Sequence, residues 1–244
     1  MCTIGATKIN SKVFIFKNRD KLDNEEEKVE KINGSIFIRS KNSRRIAAGV
    51  NQYGVAFVRA EIVPIAVIKE VYQNKFKVNL INSSIQNSVA EVLFPVFGRV
   101  KTANEAVNFI KDSGLFFEPS NVIFADKKTI FSLEIENKNM EVKEIFTNIC
   151  KTNHFLTLKF GPESYDDYPS SFERFKYANG GIGNITNFEQ LKEFLSNHNN
   201  NNADFNLCRH HISSTISSCI INVNNNSVWY CKSSPCKGKY ELFT

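Results

Sequence analysis

No apolar run in this chain approaches the ~20 residues that a membrane-spanning helix requires. The apolar stretch nearest the start, residues 13–16, runs at once into Lys17, Asn18, Arg19 and Asp20, so it is too short for the core of a signal peptide. These absences predict a cytoplasmic protein with no membrane partner. Charge of one sign is not concentrated either. The formal net charge is +6. The one basic run, residues 41–45 (KNSRR), is offset by the glutamates at 25–27, and no basic patch is interleaved with aromatics, so no nucleic-acid partner is expected.

Histidine is scarce, with four copies. A papain-type Cys–His dyad would have to recruit His154, His198, His210 or His211, and none is set beside a cysteine in a way that demands it. The chain also lacks any closely spaced cysteine pair. Its six cysteines are Cys2, Cys150, Cys208, Cys219, Cys231 and Cys236. Zinc ligands usually come in tight pairs presented by turns. Cys231 and Cys236 have four residues between them, not two, and Cys219 and Cys231 lie in strand-like runs. Cys208, His210 and His211 could be grouped with them, yet the spacing argues for no metal. A chain of this length can bury a core without disulfides.

What is present is ordinary globular composition: 244 residues, 42% hydrophobic and 23% charged, with 21 phenylalanines. Residues 1–244 are expected to form a single domain. Residues 3–7, 12–17, 36–39, 47–50 and 55–59 read as strands, and the charged stretch 23–31 as a solvated loop or short helix. Capping boxes at Thr102/Glu105 and Thr186/Glu189 predict two helices. Others are expected over 170–177 and within 65–85. Short β-rich runs at 121–125, 129–136 and 140–146, then 215–223, 227–231 and 240–243, predict further strands, the last set closing through a turn at 224–226. The asparagine run at 199–202 reads as a surface loop of little functional weight. Strands and helices in alternating blocks predict a layered α+β fold.

Cys2 is the residue with chemistry to offer. Small residues after an initiator methionine permit its removal, which would leave Cys2 with a free α-amine. That amine titrates near ~7.7–8.0 and a free thiol near ~8.5, so the amine can serve as base for its own nucleophile. Lys17, Asn18, Arg19 and Asp20 end the second strand, and in a hairpin they lie beside the chain start. A carboxylate there can hold the amine, and a cation can favour the thiolate. Lys17 and Arg19 fall on one strand face, so alternation cannot choose between them; Arg19 is the preferred cation of the network.

Met1, Cys2 and Thr3 followed by Lys17, Asn18, Arg19 and Asp20 resemble the start of the choloylglycine hydrolases, penicillin V acylases and acyl-coenzyme A:6-aminopenicillanate acyltransferase-like proteins. These are N-terminal-nucleophile (Ntn) cysteine hydrolases. Gly49, Val50, Asn51, Gln52, Tyr53, Gly54 and Val55 look like that family's Gly-x-Asn-Glu-x-Gly-Leu segment. Thr152, Asn153, His154 and Phe155 look like its Thr-Asn-His-Phe. Ser170 to Arg174 look like its Ser-x-x-Arg segment, and Cys208, Arg209 and His210, with Trp229, Pro235 and Cys236, like its closing pattern. Lys17 departs from the arginine of bile-salt-type enzymes. The short stretch between Asn153 and Arg174 favours the acyltransferase-like branch.

The resemblance implies a four-layer αββα sandwich with two antiparallel sheets, and Cys2, Arg19, Asp20, Asn153 and Arg174 as catalytic residues. It implies an oxyanion hole from the Asn51 backbone and the Asn153 side chain, with Lys17, Asn18, His154 and Arg209 in support. It further implies cleavage of a small-molecule or small-peptide amide through a thioester, with acyl transfer to an amine as a variant, and it allows a homo-oligomer. A catalytically inactive binding protein on the same fold is the alternative, and a basic nucleic-acid-binding module a more distant one.

Overall fold

In a computed structural model, residues 1–22, 25–41, 46–74 and 86–244 are described. They hold two sheets in which every pairing is antiparallel. The first runs in the order β10 (Ile149–Lys151), β1 (Cys2–Ile9), β2 (Lys12–Lys21), β11 (Ser214–Asn222), β12 (Ser227–Cys231) and β13 (Tyr240–Phe243). The second runs β3 (Glu27–Ile32), β4 (Ser35–Ser40), β5 (Ile46–Val50), β6 (Ala56–Glu61), β7 (Phe117–Ala125), β8 (Ile130–Asn137) and β9 (Asn139–Glu144). Five α-helices flank them among the described residues: α1 (Ile65–Asn74), α2 (Val89–Leu93), α3 (Ala103–Asp112), α4 (Pro169–Ile182) and α5 (Phe188–Leu195).

The layering follows from strand alternation, which sends successive side chains to opposite faces. Ile4 and Ala6 of β1 and Val13 and Ile15 of β2 meet Ile36, Ile38, Ala48, Val58 and Ile123 of the other sheet in a central core. The outward residues Phe14, Phe16 and Ile220 pack under α4 and α5 with Ala178, Ile182, Leu191 and Phe194. On the far side Phe57, Phe124 and Leu133 pack under α2 and α3 with Leu93, Ala106 and Ile110. Helix, sheet, sheet, helix is the expected αββα order. At Gly5 the strands and α-layer close in so tightly that a Cβ would stand 2.2 Å from the Phe16 ring and 2.7 Å from the Ile149 carbonyl.

Two local expectations are corrected. Residues 27–32, expected as loop or short helix, form β3, because pairing with β4 supplies the hydrogen bonds that charged side chains do not. The cap of α5 sits one residue later than expected: Asn187 accepts from the Gln190 N–H, and Gln190 in turn accepts from Thr186. Thr102 caps α3 as anticipated. The predicted helix within 65–85 is met by α1, while residues 75–85, and residues 42–45 of the basic run, lie outside the described residues. No described helix is long and apolar enough to cross a membrane.

Candidate active site

The β1–β2 register sets Cys2 opposite Arg19 and Thr3 opposite Asn18. Alternation then divides the predicted residues between the two faces of the sheet. The Cys2 thiol, Lys17 and Arg19 fall on the face that carries Ile4, Val13 and Ile15 into the inter-sheet layer. Thr3, Asn18 and Asp20 fall on the α4 side.

On the inter-sheet face, Lys17, Arg19, Lys21, Arg59, Ile46, Ala47 and Glu61 line a recess beside Met1 and Cys2. Lys17 is buried and its ammonium donates to the Arg59 carbonyl at 2.6 Å. Arg19 is tied to Glu27 and, at 3.0 Å, to Glu25, and it also donates to Ser40. Burial alone would push the Cys2 thiol up. Lys17 first, then the chain-terminal ammonium and, more weakly, Arg19 outweigh it, against the opposing charge of Asp20, and hold the thiol below its ordinary value. Burial without such cations pushes Cys150 up, and at Cys219 burial outweighs Lys17 and pushes the thiol up to about 12. Lys17, not the preferred Arg19, is thus the larger influence on sulfur, because Arg19 is engaged with the Glu25 and Glu27 carboxylates.

On the other face, Arg174 is fully buried in the second turn of α4. Its guanidinium donates to Cys2 O at 3.2 Å, Thr3 Oγ1 at 2.9 Å and Asn153 Oδ1 at 3.0 Å. It also stands 3.5 Å from Asp20 Oδ2, with Arg209 at 3.8 Å from the same oxygen. Asp20 Oδ1 accepts from Thr215 Oγ1 at 2.8 Å. A bulge in β11 between Thr215 and Ser217 turns Thr215 toward Asp20 and leaves Ser217 opposite Arg19, where it bonds Glu27. Bulges commonly re-aim side chains in this way. Asn18 donates to the Leu195 and Leu207 carbonyls, fastening the strand to the α5 side.

Asn153 bridges the two faces. Its Oδ1 accepts from the Cys2 N–H at 3.0 Å and its Nδ2 donates to Glu61 O at 2.7 Å. An amide nitrogen carries two hydrogens, and the Glu61 bond uses one of them. His154 belongs to the scaffold: Nδ1 meets Ser171 Oγ at 2.8 Å, the ring stacks on Phe172, and burial pushes its pKa down to about 4.

Asn51 does not join this group. Its backbone N–H, expected to face an oxyanion, donates to Val55 O at 2.9 Å. Its Oδ1 accepts from Tyr53 and Val55, and its Nδ2 donates to Phe97 O and Val100 O. Ala47 borders Cys2, whereas Asn51 lies four residues on, about 13 Å away along an extended strand. The motif is a turn device, with Gly54 at φ +80° beside the Val223 carbonyl.

Sequence reasoning missed Arg59, Glu27, Tyr168 and Asp204. Asp204 binds Arg209 at 2.9 Å and His211 at 2.9 Å. It is presented by the asparagine run, since Asn202 caps the turn at Asp204 and Asn206 donates to the carbonyls of Asn200 and Asn202. The run thus has a positioning duty that its low complexity concealed.

Met1 is attached in this structure. Its ammonium donates to Asp20 O at 2.9 Å and its carbonyl accepts from Asp20 N at 2.8 Å. Its sulfur contacts Tyr168 Oη and, at 3.8 Å, Arg209. The free space beside the thiol is about 30 Å³, room for one or two waters.

No family model matches the chain, and no curated protein matches its sequence. Solved structures match it in shape. The Caenorhabditis elegans N-acylethanolamine-hydrolyzing acid amidase ortholog matches with a TM-score of 0.57 at 14% identity, over 91% of this chain and 93% of its own. A cysteine-to-alanine mutant of the Clostridium perfringens conjugated bile acid hydrolase gives 0.58 at 9% identity, over 100% and 97%. An arginine-to-leucine variant of that hydrolase gives 0.57 at 10% identity, over 100% and 97%. The fold is therefore the αββα sandwich that these solved structures share, the fold the sequence resemblance implied.

Proposed function

We propose that the chain cleaves the C–N bond of a small linear amide, with the Cys2 thiol as nucleophile once Met1 has been removed. One observation carries this reading: a buried thiol held below its ordinary pKa by Lys17, in a residue whose own nitrogen rests on Asn153. The solved structures that share the fold include an amidase and a bile acid hydrolase by name, which supports the reaction class.

Met1 excision converts the Cys2 nitrogen from an amide, which is no base, into an α-amine held by Asn153 Oδ1. The thiol proton passes to that amine as sulfur attacks the substrate carbonyl. The remaining Asn153 N–H receives the developing oxyanion, a contact that typically matters by ~10²–10³ in rate. The tetrahedral intermediate then expels the leaving amine, which takes the proton, and a thioester remains on Cys2. Water attacks the thioester carbonyl, releases the acid and returns a proton to the thiolate–amine pair. An amine in place of water gives acyl transfer instead. Arg174, Asp20 and Arg209 position the Cys2 backbone and Asn153 from behind the sheet.

The test is the intact mass of the purified protein before and after iodoacetamide at neutral pH. It is followed by turnover of a panel of linear N-acyl amides with varied acyl chains. Loss of Met1, fast single alkylation abolished by Cys2→Ala, and hydrolysis abolished by the same change are expected. Retained Met1 with no selectively reactive cysteine would overturn the catalytic reading in favour of a binding protein on this fold.

A further inference from the structure

Behind the Asp20 network the fold assembles a group that no local sequence pattern announces. His198, in the loop after α5, Cys208 and His210, on the segment leading to β11, and Cys236, in the turn before β13, converge. Their ligand atoms all lie within 4.8 Å of one another. His210 Nε2 is 3.5 Å from Cys208 Sγ and 3.2 Å from Cys236 Sγ. The His198 and His210 rings are centred 4.9 Å apart. The Cys208 N–H donates to Asn197 O at 3.3 Å, which draws the His198 loop against the Cys208 segment.

We propose that these four side chains form a tetrahedral zinc site of the Cys2His2 type. Zinc takes thiolate at ~2.3 Å and imidazole at ~2.0–2.1 Å. A regular tetrahedron of those bonds has S–N edges of about 3.5 Å, S–S edges of about 3.8 Å and N–N edges of about 3.3 Å. The two sulfur–nitrogen distances already match such edges, and the 4.8 Å bound on the whole group leaves a rotamer adjustment for the rest. Two thiolates and two imidazoles in this geometry select zinc among the common divalent ions. Binding releases one proton from each thiol to solvent and oxidises nothing. Cys208 is buried while His198 and His210 are exposed, which provides an entry path. Four protein ligands leave no open position, so the site is structural.

Local spacing disfavours zinc only where ligands arrive in sequence pairs. Here three chain segments supply them. Two residues that the sequence would have grouped with them are elsewhere: His211 turns to Asp204 at 2.9 Å, and Cys231 donates to Ser233 O at 3.2 Å. Arg209 lies between two ligands, Cys208 and His210, and faces Asp20. The ion would pin the segment that backs the Cys2 network.

The experiment uses the full chain carrying Cys2→Ala, so that the proposed nucleophile cannot itself hold metal and the result is independent of the amidase reading. Elemental analysis after expression in zinc-supplemented medium is expected to give one zinc per chain. Replacement by cobalt(II) is expected to give the visible bands of a tetrahedral site with thiolate charge transfer in the near ultraviolet. Cys236→Ser and His198→Ala, on separate segments, should each weaken cobalt binding at least tenfold, and Cys231→Ser should not. Absence of tetrahedral cobalt bands would overturn the proposal. So would binding unaffected by both His198→Ala and Cys236→Ser, or a Cys208–Cys236 disulfide in freshly purified protein.

Discussion

Arg174→Met is the most informative perturbation of the rear network. Methionine is unbranched and fills much of the arginine stem, so cavity formation is small and the change is mainly electrostatic. The substitution removes donors from Cys2 O, Thr3 Oγ1, Asn153 Oδ1 and Ser170 O. It also withdraws the nearer of the two cations facing Asp20 Oδ2, leaving Arg209 at 3.8 Å. Removing one partner of a buried ion pair costs about 3–5 kcal/mol, because the other charge stays buried. Asn153 Oδ1 keeps its bond from the Cys2 N–H, so the lost hydrogen bonds add little to this figure, and the remaining Arg209 acts in the opposite sense. A net loss of about 4 kcal/mol follows, which for a chain of this size lowers Tm by about 8–16 °C at ~2–4 °C per kcal/mol. Scanning calorimetry at pH 7 reads this directly. Adding Asp20→Asn to Arg174→Met should recover at least ~1 kcal/mol by removing the stranded charge. A Tm fall under ~3 °C, or a double variant no more stable than Arg174→Met, would refute the reasoning.

Two further outcomes are expected. Lys17→Met removes the strongest cation acting on Cys2, so the thiol pKa rises and the alkylation–pH profile moves to higher pH. Each unit lowers the thiolate fraction at neutral pH about tenfold, and an unmoved profile would assign the thiol's acidity elsewhere. The folded pKa of His154 is about 4, below the ~6.5 of an unfolded chain. The unfolded state therefore binds more protons in that window: His154 stability is fully present above pH 6.5 and is lost as pH falls toward 4, by as much as ~3 kcal/mol. Tm measured against pH should show this decline relative to His154→Gln, and parallel curves would count against it.

The parts of this molecule that were legible in its sequence are those written in local patterns. Thr102 and Glu105 announced α3, and the β-rich runs announced strands whose outward phenylalanines became helix-facing cores. The closeness of residues 18–20 to Cys2 was readable because a hairpin brings two near segments together, though which residue stands opposite Cys2 was not. Three things were not. β3 is charged, and its strand identity comes only from its neighbour β4. Asn51 sits in a segment whose glycines read like a site motif, yet Gly54 and the Asn51 amide serve a turn. The Cys208–His210–Cys236–His198 group draws on three segments that local spacing cannot bring together. Arg59 reaches the recess through the β5–β6 pairing, which places it beside Ile46 and Ala47.

The exchange of both backbone hydrogen bonds between Met1 and Asp20 bears on how the molecule would mature. Those two bonds are the last rung of the β1–β2 ladder. Taking away a single residue leaves the Asp20 N–H and C=O facing open space, with the donor and acceptor spacing of a strand edge, directly beside the sulfur. An extended amide laid there would replace the lost rung, in the manner of a peptide added to a sheet. The first residue would act as a template for the ligand that succeeds it, and the molecule would be made ready by subtraction.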